Sequence, residues 1–216
     1  MLILHSYWRS TAAYRVRIAL NLKGLDYRQV AHNLRANAHH DEAYRALNPQ
    51  MMVPALEAGD GAILTQSPAI LEWLEETHPL PPLLPSQPEA RAVVRAMSAL
   101  IACDIHPLNS LRVLRELKHE FSADETRRNQ WAVGWIAEGF TALETLVEKH
   151  GRGFCFGDTP GLADAFLVPQ VFSAQAFGVD LRPYPAIRAV NTACDEHPAF
   201  VRAHPRHQPD ADTVNA

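Results

Sequence analysis

LILHSYWRSTAAYRVRIALNLK, residues 2–23, is the stretch on which the fold turns. Leu2-Ile3-Leu4 is a short apolar run of buried-strand type. Arg15 to Lys23 carries Val16, Ala19, Leu20 and Leu22 at helical spacing and is closed by Gly24, so the pattern predicts an amphipathic helix with a glycine stop. Ser10 and Thr11 stand between the two, at the strand-to-helix turn. A helix entrance offers unpaired N–H groups and partial positive charge, which stabilise an anion. A hydroxyl there has two readings: a plain N-cap, or a donor to a thiolate held in front of the helix.

Outward from this stretch, Tyr27–Ala31 reads as a second strand, and the polar run 33–41 leads into a short helix ending near Leu47-Asn48-Pro49. Val53–Glu57 and Ala62–Thr65 flank the turn cluster Ala58-Gly59-Asp60-Gly61, giving a hairpin. Ser67-Pro68 reads as an N-cap with proline at the first helical position, opening a helix through Trp73 to Thr77. The order βαβ-α-ββα implies a mixed four-stranded sheet with helices on it, over residues 1–85. The proline-rich run 78–87 is an extended connector. From 88 to 216 the chain reads as all-helical, with a disordered tail from about 205.

Composition excludes several classes. Net charge is −4, and residues 1–85 hold 7 basic and 8 acidic side chains, so neither nucleic acid nor an anionic membrane is an expected partner. No window has the roughly 18 apolar residues of a membrane span, and no signal-peptide pattern opens the chain. Cys103, Cys155 and Cys194 form no CxxC pair, which fits reduced thiols in the cytoplasm. The histidines show no metal-ligand spacing, so no metal is expected.

Three pieces of residues 1–85 combine chemically. Ser10 marks a spot for a thiolate. Pro54, after Val53 at a strand start, is either a cis peptide that turns backbone groups toward an extended peptide or an ordinary trans edge-strand proline. Gln66-Ser67-Pro68 is a second helix entrance, read either as a simple cap or as a carboxylate site. A thiolate spot, a peptide-pairing edge and a carboxylate spot are the three features glutathione presents.

The segments WRSTAAYRVRIALNLKG, ALNPQMMVPALE, ILTQSPAILEWLEE, ACDIHPLN, GDTPGLADAFLVPQ and VDLRPYPAIRAV together resemble the zeta-class glutathione transferases, and most of all their bacterial maleylpyruvate and maleylacetoacetate isomerases. The resemblance implies a thioredoxin-like N-terminal domain, an all-helical C-terminal domain, a homodimer and glutathione as cofactor. By position it gives Ser10 as donor to the glutathione sulfur, with Thr11 beside it. It gives His39, Gln50 and the Val53 backbone for the glycyl and cysteinyl parts, and Gln66 and Ser67 for the γ-glutamyl carboxylate. Asp104, His106 and Asn109 would line the cleft from the helical part.

Outside the resemblance these residues have plainer readings. Asp104 and His106 flank Pro107 and could serve only a helix kink. His39 beside His40 could be solvated loop, and Trp131 and Trp135 read as core packing rather than a substrate platform. Asp164 reads as a structural acid near a helix start, with Gly161 where relatives carry a capping hydroxyl.

The implied reaction is thiolate addition to the cis double bond of a maleyl-keto acid in aromatic catabolism, bond rotation and elimination. Arg9 and Arg112 are the arginines expected to grip the substrate carboxylates, Arg112 and Arg115 otherwise reading as a solvated face. Ala176 stands where the isomerases place an arginine, with Arg182 nearby as a substitute. That departure leaves open a transferase that conjugates or dehalogenates small electrophiles such as α-halo acids, and, more remotely, a non-catalytic binding protein of the same fold.

Overall fold

The computed structural model describes residues 1–211. They form two compact units: Met1–Leu83 joined by the segment from Asp195 onward, and Leu84–Cys194.

In the first unit, β1 (Leu2–Ser6) pairs in parallel with β2 (Tyr27–Ala31), Leu2 opposite Tyr27 and Ser6 opposite Ala31. A parallel pair needs a crossover, which α1 (Thr11–Leu22) supplies. After the short α2 (Glu42–Leu47), the hairpin of β3 (Ala55–Glu57) and β4 (Ile63–Thr65) adds antiparallel strands. The sheet order is β2-β1-β3-β4, the mixed four-stranded sheet expected, and α3 (Ser67–Thr77) follows. Both strands of the hairpin are shorter than the sequence suggests: β3 begins only at Ala55, because the Val53–Pro54 segment leaves the ladder.

The amphipathic expectation for α1 fails. The helix begins at Thr11, α3 and α9 (Pro198–Ala203) pack against it, and every residue from Ala13 to Leu20 is buried, Arg15 and Arg17 included. A buried guanidinium is tolerable only when its donors are used. Arg17 Nε donates to the Ala203 carbonyl (3.0 Å), Nη1 to Ser6 Oγ (3.1 Å) and Nη2 to the Trp8 carbonyl (3.1 Å), while its plane lies over the Tyr14 ring. Burial pulls its pKa down to about 10, so it stays charged at neutral pH. Buried Lys23 donates to Glu75 and to the Pro81 carbonyl (2.8 Å), and Glu75 accepts from Leu83 N–H (2.9 Å), pinning the start of the connector.

The second unit is helical. Its first helix, α4 (Pro88–Ala99), passes into a π-helical stretch, Leu100–Ile105, and then a single tight turn, His106–Asn109, before α5 (Leu111–His119). The α-helical ladder gives way at Leu100 and the chain breaks around Pro107, which has no N–H to continue it. A methyl added at Gly139 of α6 (Glu125–His150) would collide with the Ile105 side chain, so the π stretch lies hard against α6. Glu144 of α6 accepts from Ala186 N–H (2.6 Å) and Ile187 N–H (2.9 Å), capping α8 (Pro185–Glu196). At the entrance of α7 (Leu162–Ala176), Asp164 accepts from Gly161 N–H and Cys155 N–H, each at 2.8 Å. The reciprocal half of a capping box needs a side-chain oxygen that Gly161 lacks. Burial pushes the Asp164 carboxyl up to about 6 against those two donors.

The C-terminal expectation needs correcting. Residues from Asp195 belong with the first unit, not with an 88–216 domain, and 205–211 are not a disordered tail. Pro205–His207 makes a helical turn, Pro205 and Gln208 are buried, and Gln208 Nε2 donates to the Arg202 and His204 carbonyls, both at 2.9 Å. Residues 212–216, part of that expected tail, lie outside the described residues.

Candidate active site

The first unit gathers its site on the loops at the ends of β1, α2 and β4. Ser10 is the N-cap of α1: its Oγ accepts from Ala13 N–H (3.2 Å) and its own N–H donates to the Tyr7 carbonyl (2.9 Å). An oxygen that accepts from the backbone keeps its proton for a further bond, so capping and donation are compatible at this residue. Thr11 is the first helical residue, and Arg9 is exposed with its guanidinium over the Trp8 ring (5.4 Å).

The second helix entrance departs from the expected cap. Gln66, not Ser67, is the N-cap of α3, with φ of 67°, in the region that favours glycine. Its side chain makes no capping bond; its amide donates instead to Gln50 Oε1 (2.6 Å). Ser67 is the first helical residue and Pro68 the second. Ser67 is buried, and its Oγ accepts from Nη1 of Arg15 (3.3 Å), one turn past Ser10 on α1. The α3 entrance thus has no side-chain cap, and a buried guanidinium is bonded to its first residue.

Tyr7, Tyr44 and Val53 form a buried apolar cluster, with Trp8, Leu34 and Leu47 against it. It ties the loop before Ser10 to the Val53–Pro54 segment, whose peptide bond is cis; Leu80–Pro81 is a second, unanticipated cis bond. Tyr44 Oη and Asn48 Nδ2 both donate to the Met52 carbonyl, at 2.6 and 2.7 Å, fixing the residue before Val53. The His39-His40 pair divides: His39 is buried and His40 exposed. Under this loop Glu57 Oε1 lies 2.7 Å from His5 Nε2, and His5 Nδ1 lies 2.8 Å from His32 Nε2. Only one of those two facing nitrogens can carry a proton. Burial and the neighbouring His5 both depress the His32 pKa.

In the second unit, Asp104 is exposed in the π stretch, while His106 and Asn109 sit on the turn that follows. Asn109 is buried and its Nδ2 has no hydrogen-bond partner among the described residues. Arg112 and Arg115 are exposed on α5. Trp131 is no core residue: it is 37% exposed and its indole N–H donates to the Leu108 carbonyl (2.9 Å), tethering the same turn. Ala176 is exposed, and Arg182 faces solvent with a two-pronged bond to Asp180 at 2.7–3.0 Å.

Sequence reasoning missed Arg15, Arg17, Tyr7 and Tyr44. Two arginines within an otherwise apolar run were the available signal for the first pair. Nothing local marked the tyrosines, whose role comes from tertiary packing.

A mixed four-stranded sheet of this order, followed by a helical unit, is the glutathione transferase fold. Family models agree: "Glutathione S-transferase, N-terminal domain" matches residues 4–82 and "Glutathione S-transferase, C-terminal domain" matches residues 124–197. The chain belongs to the glutathione S-transferase family, in its zeta class. It is 53% identical over 211 residues to a maleylpyruvate isomerase of a Ralstonia species, covering 96% of this chain and 99% of that one. A holo structure of a bacterial zeta-class maleylpyruvate isomerase superposes with a TM-score of 0.95 at 50% identity, covering 97% and 100% of the two chains. The maleylacetoacetate isomerase of Anaeromyxobacter dehalogenans, solved with glutathione in its active site, matches with a TM-score of 0.89 at 46% identity over 98% of each chain. That protein is also solved with dicarboxyethyl glutathione and citrate bound. Among the described residues no helix is long and apolar enough to cross a membrane, and no cluster of three or more His, Cys, Asp or Glu could hold a metal ion.

Proposed function

We propose that this chain is a glutathione-dependent cis–trans isomerase of maleylpyruvate or maleylacetoacetate. One observation carries the reading: a single helix, α1, holds Ser10 at its entrance and, one turn later, the Arg15 guanidinium bonded to Ser67 at the other entrance. A rigid element thereby fixes the spacing of a sulfur site and a carboxylate site, which is what a tripeptide with one thiol and a terminal carboxylate requires. The similarity to chains solved with glutathione and with a dicarboxyethyl derivative supports the same ligand class.

When bound, glutathione supplies a thiolate nucleophile that adds to the double bond and later leaves. Ser10 donates its hydroxyl proton to the sulfur, and the N–H groups of the first turn of α1, with Thr11 beside them, add positive potential, holding the thiol ionised near neutral pH. Gln66 and the uncapped N–H groups of α3 hold the γ-glutamyl carboxylate, with Ser67 free to donate outward because its oxygen already accepts from Arg15. The Val53 backbone pairs with the cysteinyl part, and His39 and Gln50 hold the glycyl end. Arg9, exposed beside Ser10, grips a substrate carboxylate and the negative charge that develops on the keto oxygen. The family resemblance also assigns ligand-side roles to Asp104, His106, Asn109 and Arg112, and the buried Asn109 amide has no hydrogen-bond partner among the described residues. Pro54 and Asp164 act structurally. The family resemblance supports a homodimer, and three free thiols suit a reducing cytoplasmic setting.

A second reading, conjugation or dehalogenation of small electrophiles, is favoured by one feature: Ala176 offers no arginine, and Arg182 is occupied with Asp180. Incubation with glutathione and each maleyl-keto acid, followed by enol absorbance, separates the two. Glutathione-dependent loss of the cis isomer is expected. Absent turnover beside efficient conversion of an α-chloro acid would replace the first reading with the second.

A further inference from the structure

The chain after α9 folds back onto the loop that carries Arg9 and Ser10. With Gln208 anchored as described, Asp210 reaches two groups: its Oδ2 accepts from Trp8 N–H (2.9 Å) and its Oδ1 from Gln29 Nε2 on β2 (3.2 Å). The carbonyl of the same tryptophan accepts from Arg17 Nη2, and Arg17 also donates to the Tyr7 carbonyl (3.4 Å). Arg17 in turn is anchored through Nε to the Ala203 carbonyl. Both polar backbone groups of Trp8 are therefore gripped by charged side chains, one from the C-terminal segment and one held by it.

A buried or half-buried backbone group must find a partner, and a carboxylate or guanidinium makes the stronger kind of bond. Neighbouring loop bonds do not do this job: Ser10 N–H holds the Tyr7 carbonyl, but the Trp8 N–H has Asp210 as its acceptor. Arg9 and Ser10 directly follow, so a rotation of the Trp8 peptide moves both. The geometry points to Asp210 and Arg17 as positioning residues that set the Arg9–Ser10 turn, making the C-terminal segment a working part of the active site. This inference rests on the proposed role of Ser10.

The test uses the full chain with Asp210→Ala and Asp210→Asn, reading thiolate absorbance of bound glutathione against pH, kcat, and KM for glutathione. Asp210→Ala should raise the bound thiol pKa by about one unit and lower kcat about tenfold, with KM for glutathione changed less than about twofold, since small misplacements of a reacting group are costly. Asp210→Asn keeps an oxygen for Trp8 N–H and should restore most of both. A folded Asp210→Ala with unchanged thiol titration and kcat overturns the proposal. So does a lowered thiol pKa, which would mean that the carboxylate acts by its charge rather than its grip. Should Asp210→Ala not fold, Gln29→Leu, which loosens Asp210 from β2, should shift both readouts the same way by about threefold, and parent behaviour there overturns the proposal. Ser10→Ala separates the layers. If it leaves the thiol titration unmoved, the proposed role of Ser10 fails and this inference with it; if it moves the titration and Asp210→Ala does not, only the positioning role fails.

Discussion

The two helix entrances of the first unit look alike in sequence, a serine before a helix, and are built in opposite ways. At α1 the cap is conventional: Ser10 has an extended φ of −69°, its oxygen takes the Ala13 N–H, and the loop before it is clamped from both sides. At α3 the cap is withheld: Gln66 sits at φ 67°, its amide is turned to Gln50, and its side chain makes no bond to the first turn. The difference matches the two anions each would meet. A thiolate is one atom and needs one well-aimed donor. A carboxylate spreads its charge over two oxygens and takes several N–H groups, so a side-chain cap there would compete with the ligand.

That contrast is best broken at Ser10. Ser10→Ala should lower kcat about 100-fold, the loss typical of one donor to a developing anion, and raise the pKa of bound glutathione, because the anionic form loses its partner. Unchanged turnover would hand the thiolate to Thr11 or a backbone N–H. Ser67→Ala probes the other entrance and should raise KM for glutathione about tenfold with kcat little changed, as expected for binding lost equally from ground and transition states. A matching fall in kcat would mean that the entrances are not separate in function.

Acid should tell the entrances apart as well. His204, half-buried beside Tyr14, accepts from Arg206 N–H (3.2 Å), and burial with Arg206, His207 and Arg17 nearby holds its pKa down at about 4. Protonation therefore favours the unfolded or detached segment. The contribution is intact above about pH 6.5 and is lost as pH falls toward 4, on the order of 1 kcal/mol after allowing for partial exposure. Among the described residues the C-terminal segment bonds to the loop before α1 and not to the α3 entrance, so over that range hydrogen exchange should rise first at Trp8, while exchange at the start of α3 stays put. Smallest of all is Arg182→Ala, expected to leave both thermal stability and kcat essentially unchanged, since exposed ion pairs contribute little. A marked rise in KM for the keto acid would reinstate Arg182 as the replacement for the arginine missing at Ala176.

Much of this was legible from the chain. Apolar runs and turn residues gave β1, β2, the hairpin and the strand-to-helix turn at Ser10, because these depend on local pattern. The connector showed in its prolines. What stayed hidden is tertiary. Arg15 and Arg17 look like the polar face of an amphipathic helix until α3 and α9 cover that face. Gln66 rather than Ser67 stands at the N-cap position, with its amide turned to Gln50, sixteen residues away. Residues 205–211 have a disordered-looking composition and are held by bonds of Gln208 and Asp210. The break between α4 and α5 is legible in Pro107, but nothing local marks the π-helical turns before it, where Ile105 packs on Gly139.

The central claim is that one entrance holds sulfur and the other a carboxylate. A crystal structure of this chain with glutathione bound measures that directly. The account predicts the cysteinyl sulfur within hydrogen-bonding reach of Ser10 Oγ and the γ-glutamyl carboxylate on the N–H groups after Gln66. A sulfur lying away from the Ser10 turn, or a carboxylate seated there in its place, would contradict it.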